Sequence, residues 1–510
     1  MLISAGSPRQ KNHPGSRSHL LMHHLICASL LLALPLAGAP PEPTLEPTLR
    51  AVDLAIGETA EVRLADGKPA SVKLLEVQEK RDSMAKAVRE ARVKVSVNGS
   101  EAWLTSANYH LPQEVGGVQI DCPITRGYNL DSGEDSWGLQ KDARLRLWPA
   151  GSPWIEPGTF VYPLKQRWFA TSTQFSNEPT YVDGGDKPDR KKIYYHNDLD
   201  FGGCEGLTEV VAATDGLVVS VSEKTLPGYS LTPVRPRYDV VYLLDARGWY
   251  YRYSHLHTID PAIQMGSRVK MGQRIGLLGK EGASGGWTHL HFGIKSRQPS
   301  GKWGTQEAYA FAWEAYQREN KPAVIAVARP HHFIRAGQTI TLDGSKSWAA
   351  SGGIRSFEWT FTDGSKAAGA RVERTYAAPG AYSEVLKVTD AAGQVSYDFA
   401  IVQVIGSDEK NLPPTIHPTF WPTTGIRPGD AVTFKVRTFR TIGGETWDFG
   451  DGSPKVRVKS DGNAKSLAKD GYAITEHRFA RAGDYLVQVE HANERGEKAV
   501  GHLWVRVEAP

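Results

Sequence analysis

The segment Phe357-Glu358-Trp359-Thr360-Phe361-Thr362-Asp363-Gly364-Ser365 recurs downstream as Glu445-Thr446-Trp447-Asp448-Phe449-Gly450-Asp451-Gly452-Ser453. Further on, Ala378-Pro379-Gly380-Ala381-Tyr382 recurs as Arg481-Ala482-Gly483-Asp484-Tyr485, each copy followed by alternating apolar and polar residues. Self-similarity at one period means one structural unit used twice. Each unit is about 85 to 95 residues of short strands and regular turns, the length and pattern of an immunoglobulin-like sandwich. The units span residues 322–406 and 413–508, jointed at Asn411-Leu412-Pro413-Pro414. Packing of the repeated tryptophans in a core explains them better than stacking on a sugar.

A chain of 510 residues with two such units has room for two more domains. With 51 glycines, 31 prolines, 40% hydrophobic and 23% charged residues, the composition is folded and turn-rich. We expect a mainly β, multidomain protein. Residues 50–180 alternate in hairpin fashion around the turn pairs Asp66-Gly67 and Asn98-Gly99 and read as an N-terminal β domain. Asn98-Gly99-Ser100 also fits a glycosylation sequon, but the turn accounts for it. Residues 188–320 form a second unit of antiparallel strands. It ends in a helix from about Gln306 to Arg318 that Thr305 would cap, with Tyr309, Ala312, Trp313 and Tyr316 on one face.

Arg9, Lys11 and Arg17 precede an apolar run from Leu25 to Leu36 and the small residues Ala37-Gly38-Ala39. That order reads residues 1–39 as a signal peptide, and the run is too short to span a bilayer. Residues 40–49 are a Pro-rich linker. We therefore expect a secreted, periplasmic or cell-surface protein. Past residue 39 the chain holds 57 basic against 56 acidic groups, which leaves no basic field for nucleic acid. Of three cysteines, Cys27 lies inside the leader, and export would leave Cys122 and Cys204 as a single pair, expected to form a disulfide.

No C-x-x-C spacing and no H-E-x-x-H occurs, so any metal must use other donors. His289-Leu290-His291 places two imidazoles on one strand face, since residues two apart point the same way. His196 and Asp200 lie four apart in an extended segment. Two histidines and a carboxylate with a fourth position open make a catalytic rather than a structural zinc set. His255 follows an aromatic strand, Tyr253-Ser254-His255-Leu256.

These residues, with Ala213-Thr214-Asp215-Gly216-Leu217-Val218, the glycine turns Gly266 and Gly272, and Gly285-Gly286, come in the order and spacing of the lysostaphin-like (LytM-type) zinc endopeptidases, which the segment from about 190 to 300 resembles. The resemblance implies one zinc per chain on His196, Asp200 and His291, with His289 and His255 assisting catalysis and His257 a bystander. It implies a secreted endopeptidase acting on peptidoglycan peptides. Non-catalytic peptidoglycan-binding scaffolds of the same family and proteases of non-wall proteins are the alternatives. The repeats resemble PKD domains, implying cell-surface or carbohydrate contact. Two departures stand out: Asp198 occupies a position that is usually glycine, and the insert Glu223 to Arg237 lengthens a hairpin near the expected groove. N-terminal segments of related enzymes often occlude the metal, so the N-terminal domain is expected to shape or regulate the site, with Asn108 and His110 as candidates by type.

Overall fold

A computed structural model describes residues 39–82, 86–107, 109–131, 135–173, 182–183, 194–350, 352–408 and 410–509. The leader with Cys27, and Asn108, lie outside the described residues. The regular secondary structure that is described is nearly all strand, as composition and alternation lead one to expect.

The N-terminal domain is two four-stranded antiparallel sheets. At Asn98-Gly99, φ is 48° and 84° and Val97 pairs with Ser100, the two-residue turn whose left-handed backbone these residue types tolerate. Alternate residues of the strands, among them Val72, Leu74, Val93, Val95, Leu145 and Leu147, are buried between the sheets.

In the middle unit the central sheet runs Leu199–Gly202, His289–Arg297, Tyr250–Ser254, Val241–Leu244, Gly216–Val221, Lys224–Thr225, all antiparallel. Its register matters most for function: Asp200 lies opposite His291 and Gly202 opposite His289, while Ser254 faces His291 from the other side. The helix covers this sheet with Tyr309, Ala312, Trp313 and Tyr316 all buried, but it spans Tyr309–Asn320 and Thr305 does not cap it. Thr305 ends a short strand paired to Lys295–Arg297. Its hydroxyl donates to the Ser136 carbonyl and accepts from Lys295 Nζ; Ala308 stands at the N-cap without a side-chain cap, and Glu307 Oε2 accepts the Tyr309 N–H at 3.0 Å.

One core, which includes Trp148, Phe160, Tyr162, Trp168, Phe201, Tyr251, Phe292, Trp313 and Tyr316, runs without a break from the N-terminal domain into the middle unit. The Pro-rich stretch does not hang free: Thr44 and Leu45 N–H groups both donate to the Ala246 carbonyl. The repeats are β-sandwiches with Trp359 and Trp447 fully buried, and their sheets join where Gly380 and Ala381 pair in parallel with Lys498 and Ala499.

The expected disulfide does not form. Cys122 and Cys204 are free and buried. Cys122 sits in the core between the N-terminal sheets, while Cys204 has Thr419 and Lys435 of the second repeat as neighbours, and burial pushes their thiols up to about 12 and about 11. Cys122 behaves as a small apolar side chain filling that core, and Cys204 is buried against the second repeat.

Candidate active site

His196, Asp200 and His291 meet. Asp200 Oδ1 is 3.0 Å from His291 Nδ1, Asp200 Oδ2 is 3.2 Å from His196 Nε2, and the two ring nitrogens are 3.1 Å apart. Antiparallel pairing brings Asp200 against His291, and His196 reaches in from the turn before the Leu199–Gly202 strand. Ligands at about 2.0–2.1 Å around a tetrahedral zinc stand about 3.3 Å apart, so this triangle fits that ion. Two imidazole nitrogens this close repel each other unless a proton or a cation lies between them.

His289, two residues before His291 on the same strand face, lies with Nε2 3.7 Å from Asp200 Oδ2. Its Nδ1 is 3.0 Å from the Trp287 carbonyl, an acceptor that keeps the ring proton on Nδ1 and leaves the Nε2 lone pair facing the cluster. The Trp287 ring stacks on it at 3.7 Å and 18°. Burial holds His289 well below the usual histidine range. His255 closes the other side, 4.6 Å from His289 between ring centres. Its Nδ1 faces the Glu281 carbonyl at 2.6 Å and Asp239 Oδ2 at 3.5 Å, and its own N–H donates to Asp239 at 2.8 Å. Burial lowers its pKa.

Burial opposes ionisation of Asp200, yet His196 and His289 outweigh it and hold the carboxyl well below the usual carboxylate range. All five residues named from the sequence share one buried cluster. Sequence reasoning missed Asp239 and Arg237, which form an ion pair against His255, with Arg237 Nη2 3.2 Å from its Nδ1. Arg237 ends the insert, the one signal that could have found it. Asp198 adopts φ 74°, the left-handed backbone that a glycine would supply, so the departure keeps the loop's shape. His257, half-exposed, joins Glu205 and Glu281 in a second acidic group, where Lys280 already pairs with Glu205. His110 turns to the Ala107 carbonyl and lines a small cavity with Asp121, Arg146 and Glu307, away from the five-residue set.

Residues 194–302 match the model of peptidase family M23, and residues 320–404 and 419–501 match models of the PKD domain. The chain carries an M23 peptidase domain followed by two PKD domains. Solved structures similar to it include Csd3 of Helicobacter pylori, 18% identical over 51% of this chain and 56% of that one with a TM-score of 0.20. The fibronectin(III)-like modules of Clostridium thermocellum CbhA match at 15% identity over 36% of this chain and 94% of that one, with a TM-score of 0.15. These likenesses add nothing to the family matches.

The second PKD domain reaches the M23 site. Thr288 N–H donates to the Tyr472 hydroxyl at 2.9 Å, Asn463 Nδ2 donates to the Gly285 carbonyl at 3.1 Å, and Arg437 donates to the Gly286 carbonyl. The segment between, Gly285 to Thr288, leads directly into His289. Among the described residues no helix is long and apolar enough to cross a membrane.

Proposed function

We propose that this chain is a secreted zinc metalloendopeptidase that hydrolyses peptide bonds in peptidoglycan stem or cross-link peptides. The observation that carries the reading is the triangle of His196 Nε2, Asp200 and His291 Nδ1, flanked by two histidines that are not part of it. Zinc held there by His196, Asp200 and His291 supplies a Lewis acid that acidifies water and polarises a peptide carbonyl. His289 is kept neutral by burial, with its Nε2 lone pair turned inward, so it takes the proton of the attacking water and passes it to the leaving amine. His255, held at Nδ1 by the Glu281 carbonyl and Asp239, stands across from His289, where its ring would stabilise the oxygen that becomes negative. The PKD domains hold the chain at a polysaccharide-rich surface.

The test is elemental analysis of the purified protein, then incubation with purified peptidoglycan and, separately, with elastin, followed by mass spectrometry of new termini. We expect one zinc per chain, new termini in peptidoglycan peptides, and loss of both zinc and cleavage in His291→Ala. Zinc retained at full occupancy in that variant overturns the ligand set. Intact peptidoglycan with cleaved elastin overturns the substrate, and no cleavage of either by the zinc-loaded protein makes it a scaffold.

A further inference from the structure

We propose that Asp198 is a positioning residue that holds the His291 ring through Nε2, so that Nδ1 faces the metal set. The proposal rests on the zinc reading above and concerns a residue outside the ligand triangle. Three observations converge on it. The Asp198 side chain lies across the strand face that carries His291, Gly293 and Lys295, residues two apart that point the same way. Its Oδ2 is 3.3 Å from His291 Nε2 and its Oδ1 is 3.3 Å from Lys295 Nζ. Between them, a Cβ on Gly293 would fall 2.3 Å from Oδ2, so the strand leaves the room that this carboxylate fills.

The carboxylate is buried, and Oδ2 accepts no hydrogen bond as it stands among the described residues. The Nε2–H of His291 is the donor within reach. A buried, unsatisfied carboxylate oxygen is costly, so closing that contact is favoured, and Lys295 offsets the charge from the far side. The other nitrogen of the same ring faces Asp200 and His196. A ring whose Nε2–H is given to a carboxylate presents its Nδ1 lone pair to a metal, in a fixed orientation and with raised basicity. The left-handed backbone at Asp198 tells against accident, because glycine fits φ 74° at no cost and a side chain there pays strain. Here the side chain that pays it points at a ligand.

The experiment compares zinc affinity, by competition with a chromogenic chelator, and apo melting temperature in the full chain carrying Asp198, Asp198→Gly or Asp198→Asn. Glycine suits the backbone, so Asp198→Gly should melt in the apo form no lower than the parent while zinc affinity falls about 10- to 100-fold. Asparagine also tolerates this backbone and its amide oxygen still accepts the Nε2–H, so it should restore part of the loss. Affinity within twofold of the parent in Asp198→Gly overturns the role. Should that variant fail to fold, Asp198→Ala, which has no acceptor, decides: a loss of fivefold or more in a chain whose apo form still unfolds cooperatively supports the role, and affinity within twofold overturns it. A parent that holds no zinc removes the metallopeptidase reading itself, a different result from a zinc-bound parent matched by its variants.

Discussion

The two flanks of the peptidase domain both touch its site, and they do so by opposite means. On the N-terminal side, Tyr195, the neighbour of His196, is buried among Ala87, Val88, Ala91, Ile124, Tyr128, Trp137 and Leu139. It meets Tyr128 edge-on at 4.8 Å, and its hydroxyl accepts the Val88 N–H. On the C-terminal side, the second PKD domain holds the Gly285–Thr288 segment by directed hydrogen bonds from a fully buried Arg437, from Asn463 and to Tyr472. Apolar contact is broad and insensitive to angle, and a buried guanidinium on backbone carbonyls is strongly directional. The first flank anchors His196, and the second sets the orientation of the loop that stacks Trp287 on His289.

The largest effect should come from breaking the apolar side. Tyr195→Ala removes a buried aromatic ring and should cost about 3 to 5 kcal/mol of stability, with weakened zinc binding because His196 loses its anchor. Tyr195→Phe keeps the ring and should cost about 1 kcal/mol, the value of one hydrogen bond. Denaturant unfolding and chelator competition measure both. A Tyr195→Ala chain that unfolds like the parent would show that the N-terminal domain is an appendage.

Arg437→Met tests the polar side. Arg437 also pairs with Asp461 through Nε and Nη2 and donates to the Lys465 and Ser466 carbonyls, so methionine strands several acceptors at a cost of about 2 to 3 kcal/mol. Zinc content should stay at the parent's level while kcat/KM on a peptide substrate falls about tenfold, as His289 loses its fixed orientation. Loss of zinc together with activity would erase the distinction between the flanks.

The same contrast explains what could be read from the chain. The peptidase motif, the repeats, the Asn98-Gly99 turn and the buried face of the helix are local patterns, with partners set by strand or helix period. Docking is not periodic. Arg437, Asn463 and Tyr472 lie outside the repeated segments, so comparing the repeats picks out the shared core tryptophans and passes over the residues that reach the site. Thr305 looked like a cap because the Ser136 carbonyl that takes its hydroxyl lies far off in sequence. Cys122 and Cys204 looked like a pair because counting cysteines ignores where each one is buried. Asp198 looked like a defect in the motif until Gly293 and Lys295 stood beside it.

The smallest effect should come from a charged seam on the otherwise apolar N-terminal flank. Glu307 shares a small cavity with Asp121, Cys122 and Arg146 of the N-terminal domain, and its carbonyl accepts from Arg146 Nη1 at 2.6 Å. Burial pushes its carboxyl up to about 7, against Arg146 and the Tyr309 N–H, which pull it down. The folded chain therefore holds this proton more tightly than the unfolded chain, where the group titrates near 4.5. The contribution is fully present below 4.5 and is lost as pH rises towards 7, because the unfolded state sheds the proton first. Glu307→Gln is neutral at every pH and has no such slope. The variant should match the parent near pH 4.5 and gain on it up to about pH 7, by no more than about 2 kcal/mol once the site relaxes around the charge. Urea unfolding of both chains at about pH 5 and about pH 7.5 reads the difference. A gap that does not change with pH would mean that Glu307 is ionised in the fold, and that the N-terminal flank holds its charges as firmly as the PKD side holds Arg437.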